Sequence, residues 1–125
     1  IVRREDLFII TKLWLKDAGE ESAESSFNES LERLQTDYID LYLIHQPYND
    51  YYGAWRTLEK ICQRGRTRAI GVSNFSPERL MDLCLNSEIP PMVNQIETHP
   101  FYHQIEALRT MHELGGAASG MGAAL

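Results

Sequence analysis

Residues 37–45 read Asp37-Tyr38-Ile39-Asp40-Leu41-Tyr42-Leu43-Ile44-His45, an apolar β-forming run that ends on an imidazole. Two-residue alternation puts Leu41, Leu43 and His45 on one face of a strand, predicted over Ile39–Pro47. Three further segments have the same composition: Leu7–Trp14, Ala69–Phe75 and Met92–His99. Between and after them the apolar period changes from two to about three and a half residues.

The first helical pattern runs from about Ser22 to Gln35, with Ala23, Phe27, Leu31 and Leu34 inward and Ser22 as the expected N-cap. The second covers Ala54–Arg64, with a stripe of Trp55, Leu58, Ile61 and Cys62, and Gly65 as its stop. Ser76-Pro77-Glu78 opens the third, supplying a cap, a proline whose missing N–H is harmless there, and an acidic first turn. Leu80, Met81, Leu83 and Cys84 are its predicted buried face. The fourth runs from about Gln104 to Leu114, with Ile105, Leu108 and Met111 inward.

The predicted order is therefore strand–helix, four times over. Strand starts at Leu7, Ile39, Ala69 and Met92 are 32, 30 and 23 residues apart, the length of one β-α unit each. Such alternation implies a parallel sheet with right-handed crossovers. Periodicity leaves two architectures open, a doubly wound sheet or part of a barrel. The doubly wound sheet usually carries a glycine-rich phosphate loop after a strand. Here the one matching spacing, Gly115 to Gly120, follows a helix and lacks the succeeding lysine.

At 125 residues the chain suffices for one domain but not for a full (β/α)8 barrel of about 250 residues. A hydrophobic share of 43% against 24% charged residues excludes a disordered or fibrous chain. The formal charge of -6 argues against nucleic-acid or anionic-membrane partners. Arg64, Arg66 and Arg68 read as a solvated turn in preference to an anion site. Cys62 and Cys84 read as small buried hydrophobes, with neither disulfide nor zinc spacing. Apolar runs reach only about four residues, far short of a membrane span, and no signal peptide is expected. A reducing cytoplasm is the expected setting, and the opening on Ile1 reads as an interior cut. Gly115–Leu125 carries four glycines, four alanines and no charge, and reads as a flexible or aberrant tail to a domain spanning 1–114.

All four predicted strands end in polar residues. Phe8, Ile10 and Lys12 share one face of the first, as Leu41, Leu43 and His45 do on the second. Ser73 and Asn74 end the third; Gln95 and Glu97 share the inward parity of the fourth with Val93. In a barrel, catalytic groups sit at this end of the strands. A lysine or histidine there has ordinary explanations singly, but bystanders do not cluster at four strand ends.

Thr11-Lys12-Leu13-Trp14 and the run Asp37–His45 resemble two segments of the aldo-keto reductase family. Arg68-Ala69-Ile70-Gly71-Val72-Ser73-Asn74-Phe75 and Asn94-Gln95-Ile96-Glu97 resemble two more, in order and in register from about Arg4 to Leu114. The resemblance implies a partial (β/α)8 TIM barrel of about four β-α units, the family's third to sixth. It also implies NADPH as cofactor, no metal, and reduction of small aldehydes or ketones by a parent protein that is a monomer. By resemblance Lys12 and His45 are catalytic, Ser73, Asn74 and Gln95 hold the nicotinamide carboxamide, and Trp14 walls the substrate pocket. The residue types suit the reaction. Hydride delivery builds negative charge on the carbonyl oxygen, which a cation and a hydrogen-bond donor stabilise.

Three departures from the family pattern stand out. The family's proton-donating tyrosine and lysine-pairing aspartate would precede Ile1. Tyr48, Tyr51 and Tyr52 are expected to line the substrate entrance and not to replace that tyrosine. Gln46 stands where many relatives have tryptophan, which implies a more polar or more open pocket. The isolated chain is therefore expected to be inactive and to self-associate through its sheet edges. The rival reading is a non-enzymatic nucleotide-binding subunit, which would need neither Lys12 nor His45. His99 and His103 have a metal-like spacing, but Pro100 intervenes and no further ligand is in register, so no metal site is expected.

Overall fold

A computed structural model describes residues 2–97 and 117–121. After a 3-10 turn at Arg4–Asp6 come β1 (Ile10–Leu13), α1 (Glu20–Leu34), β2 (Ile39–Ile44) and α2 (Tyr51–Gln63). β3 (Thr67–Ser73), α3 (Pro77–Leu85), β4 (Val93–Glu97) and β5 (Ala117–Met121) complete the described elements. The five strands are parallel and lie side by side in chain order, β1-β2-β3-β4-β5. A doubly wound sheet reverses its strand order at a switch point. Among the described strands there is no reversal, so of the two architectures the sheet is the barrel kind.

Alternation sorts the side chains into two layers. Leu13, Tyr42, Ile44, Ile70 and Val72 face the helices and form one core with Phe27, Leu31, Trp55, Leu58, Ile61 and Leu80. Leu41, Leu43 and Gly71 lie on the opposite, inner parity, where Leu43 pairs with both Lys12 and Gly71 across the ladder. Gly71 is there for clearance. A Cβ on it would meet the Val93 carbonyl oxygen at 2.5 Å and a Leu43 methyl at 2.8 Å.

The helix ends refine the sequence reading. Ser76 caps α3 as expected, accepting a hydrogen bond from the Arg79 N–H. Helix α1 starts before Ser22: Gly19 is its N-cap, and the Thr57 hydroxyl donates to the Glu20 carbonyl from α2. Helix α2 starts at Tyr51 and not Ala54, because the Asp50 carboxylate accepts the Gly53 N–H. Its other end closes at Gly65, φ +77°, where Gly65 and Arg66 donate to the Cys62 and Ile61 carbonyls.

The three arginines after α2 serve the scaffold. Arg64 pairs with Glu24 at 2.8 Å, Arg66 donates to Asn28, and Arg68 lies 4.0 Å from Asp40 and over the Tyr38 ring. Asp40 is buried at the strand N-termini, 3.0 Å from Arg4 and accepting the Ile9 N–H. Burial alone would raise its pKa. The Ile9 N–H, the Arg4 hydrogen bond and the charges of Arg4 and Arg68 outweigh that and hold the carboxyl below its usual 3.8.

Part of the segment Gly115–Leu125 is among the described residues. Ala117–Met121 is a strand, in parallel register with β4 from Val93↔Ala117 to Glu97↔Met121. Backbone hydrogen bonding to an existing edge needs no side chain of its own, which is why a Gly/Ala composition does not preclude it. The predicted helix near 104–114, with His99 and His103, lies outside the described residues.

Candidate active site

The carboxyl ends of β1 to β4 carry the residues singled out above. Lys12 belongs to the inner parity of β1, and the β1–β2 ladder sets it beside Leu43. His45 is the first residue past β2; its N–H donates to the Leu13 carbonyl at 2.9 Å, so the sheet fixes its backbone. The Trp14 ring tilts over the imidazole, centroids 4.4 Å apart at 45°. Trp14 is itself 55% exposed. Gln46, half-buried, is the next residue after His45.

Electrostatics follow from this packing. Burial lowers the pKa of His45, and the nearby Lys12 charge lowers it further. Both causes favour the neutral imidazole, a hydrogen-bond donor without a charge. Burial also lowers the pKa of Lys12 from its usual 10.5.

A second group forms where β3 meets β4. The Ser73 hydroxyl, fully buried, donates to the Gln95 carbonyl at 3.1 Å and accepts from the Asn74 amide at 3.3 Å. The Asn74 N–H donates to that same Gln95 carbonyl, and its backbone is left-handed, φ 60°. Asparagine tolerates this conformation better than most residues. The side-chain Oε1 of Gln95 is buried without a hydrogen-bond partner among the described residues. A buried acceptor left unpaired is costly, so such an atom marks a place for a donor.

Some supporting residues carry no local signal in the sequence. Asn94, on the outer parity of β4, accepts from the Phe75 N–H and donates to the Phe75 carbonyl, locking the turn after Asn74. Tyr51 stacks on Tyr52 and meets Phe75 edge-on at 5.1 Å. Arg79 donates from α3 to the Pro47 carbonyl in the loop after His45. A polar Asn94 at a core-facing strand position is the one hint a reader of the sequence had.

Comparison with known proteins follows this geometry closely. The family model described as "Aldo/keto reductase family" matches residues 1–120. A glyoxal reductase of Bacillus subtilis is 54% identical over 106 residues, covering 84% of this chain and 38% of that protein. A morphine 6-dehydrogenase of Pseudomonas putida is 45% identical over 91% of this chain and 40% of its own. Among solved structures, an aldo/keto reductase from Brucella melitensis superposes with a TM-score of 0.93 at 40% identity, over 97% of this chain and 48% of that one. A Bombyx mori aldo-keto reductase in complex with NADP gives 0.89 at 38% identity, over 95% and 42%. The chain thus spans about two-fifths of the curated relatives it matches. With its strand order, its strand-end residues and a family match running nearly end to end, the chain belongs to the aldo/keto reductase family, as part of its TIM barrel.

Proposed function

We propose that these strand ends are part of the carbonyl-reducing site of an NADPH-dependent reductase acting on small aldehydes or ketones. The observation that carries the reading is the placement of Lys12, beside Leu43 in the ladder, and His45, two residues past Leu43, at the open ends of adjacent strands. A neutral imidazole donates a hydrogen bond to a carbonyl oxygen and fixes its direction. The Lys12 cation stabilises the negative charge that grows on that oxygen. Trp14 holds the imidazole from one side and offers its exposed face as a pocket wall, with Gln46 as a polar neighbour.

The β3–β4 group fits a nicotinamide carboxamide. Its amide N–H suits the unpaired Gln95 Oε1, and the Asn74 side chain, steadied by Ser73, offers a second polar group for it. In this reading Ser73 acts chiefly through Asn74, since its own proton goes to the Gln95 backbone. When bound, the dihydronicotinamide supplies the hydride. The chain's residues supply placement and electrostatics.

The rest of the reaction needs a proton donor, and three of the tyrosines nearby are taken up in ring contacts. Tyr42 packs edge-on against Phe27 in the helix layer, and Tyr51 and Tyr52 are stacked together beside Phe75. We therefore expect the 125-residue chain alone to be inactive. The test is NADPH consumption by the whole gene product across a panel of small aldehydes and ketones. Carbonyl-dependent consumption is expected; NADPH binding with no turnover of any carbonyl would instead favour a binding subunit.

A further inference from the structure

The loop between β2 and α2 joins the proposed catalytic histidine to the pocket. It leaves the sheet at His45, whose N–H is fixed on Leu13, and ends at Asp50, which caps α2. Between them Gln46 and Tyr48 close a tight turn, the Tyr48 N–H donating to the Gln46 carbonyl at 2.9 Å. Pro47, at its centre, is buried. Arg79 reaches across from the first turn of α3, donating to the Pro47 carbonyl with its guanidinium 5.8 Å from the Tyr48 ring centroid. A second contact runs the same way: Tyr51, just after the loop, meets Phe75 edge-on. Phe75 in turn is held at both its N–H and its carbonyl by Asn94.

We propose that Arg79 is a positioning residue that sets the substrate pocket through Pro47, tying the Gln46 loop to the turn that carries Ser73 and Asn74. Helix α3 begins four residues after Ser73, and its N-cap Ser76 accepts the Arg79 N–H itself. The guanidinium is thus anchored to the nicotinamide side of the site while its far end grips the carbonyl side. The tight turn passes the constraint from Pro47 to Gln46, because the two share a peptide bond and Gln46 is pinned to Tyr48. His45 is held separately, by Leu13 and Trp14. Losing Arg79 therefore loosens the pocket without displacing the imidazole. The consequence is a split in kinetics, with weaker carbonyl binding and an unaltered chemical step.

This proposal rests on the reductase reading, and its test separates the two. On the whole gene product, R79M keeps the side-chain stem but removes the donor, whereas R79K keeps a donor for Pro47. The expected result for R79M is a KM for the carbonyl raised about five-fold or more, with kcat and the Kd for NADPH within about two-fold of wild type. R79K is expected to restore KM to within about two-fold. An R79M enzyme with wild-type KM, a loss confined to kcat, or an R79K enzyme as impaired as R79M overturns the role of Arg79 alone. A wild type that turns over no carbonyl overturns the reductase reading, and this proposal with it.

Discussion

Trp14 leans on His45 across neighbouring strand ends, ring centroids 4.4 Å apart and planes inclined by 45°. The contact is possible because Leu13 pairs with Ile44 in the ladder, which brings the next residue of each strand side by side. One ring is largely exposed and the other half-buried, so the pair forms a wall whose inner part is polar. An aromatic pair of this kind is worth about 0.5–1.5 kcal/mol beyond area burial. W14A is expected to lower kcat/KM by about two- to ten-fold through this term, and W14F by less, in steady-state assays on the whole gene product.

The titration of His45 has a definite sign. Burial and the Lys12 charge both lower its pKa below the ordinary 6.5. The unfolded chain binds a proton at that ordinary value, while the folded chain resists it. His45 therefore subtracts stability as pH falls below about 6.5, and the penalty is complete below the folded pKa. Imidazole NMR is expected to place its midpoint under 6.5, and K12M to move it upward by removing the second cause. In denaturant titrations between pH 7.5 and 5.5, H45Q should lose the part of the pH slope that this group provides.

Asp40 works in the other direction and at the other end of the sheet. Its lowered pKa means that its stabilisation is present above 3.8 and is lost as pH falls through the folded value. D40A leaves the Arg4 guanidinium and the Ile9 N–H without this partner. Arg4 is only partly buried and keeps its bonds to Thr36 and Tyr38, so equilibrium urea unfolding at pH 7 is expected to read a loss of about 1–3 kcal/mol. D40N, which retains an acceptor for Ile9, should lose less.

Gly71 gives a purely steric test. G71A drives a methyl group toward the Val93 carbonyl, a backbone atom that moves only if β3 and β4 separate. Overpacking of this kind costs about 1–3 kcal/mol. Urea unfolding of G71A is expected to read a loss in that range, and a fully neutral substitution would mean that the strands are less tightly apposed.

Much of this architecture was legible in the sequence because it is periodic. The Leu41, Leu43, His45 alternation located an inner face, and Ser76-Pro77-Glu78 located a helix start. Where a start depended on a partner distant in sequence, the local pattern misled. Ser22 looked like a cap, yet α1 begins earlier, with Glu20 held by Thr57 of α2. The strand at Ala117–Met121 is backbone pairing with little side-chain signature. At the candidate site, residue types and the family likeness singled out Lys12, His45, Ser73, Asn74 and Gln95. Nothing local links Arg79 to Pro47, 32 positions earlier, and only the fold brings them together.

The most direct test of the proposed chemistry is the rate of carbonyl-dependent NADPH consumption by K12M, compared with wild type on the whole gene product. If Lys12 stabilises the charge that develops on the carbonyl oxygen, kcat falls by about 100-fold or more while NADPH still binds. A K12M enzyme that turns over carbonyls at the wild-type rate would contradict it.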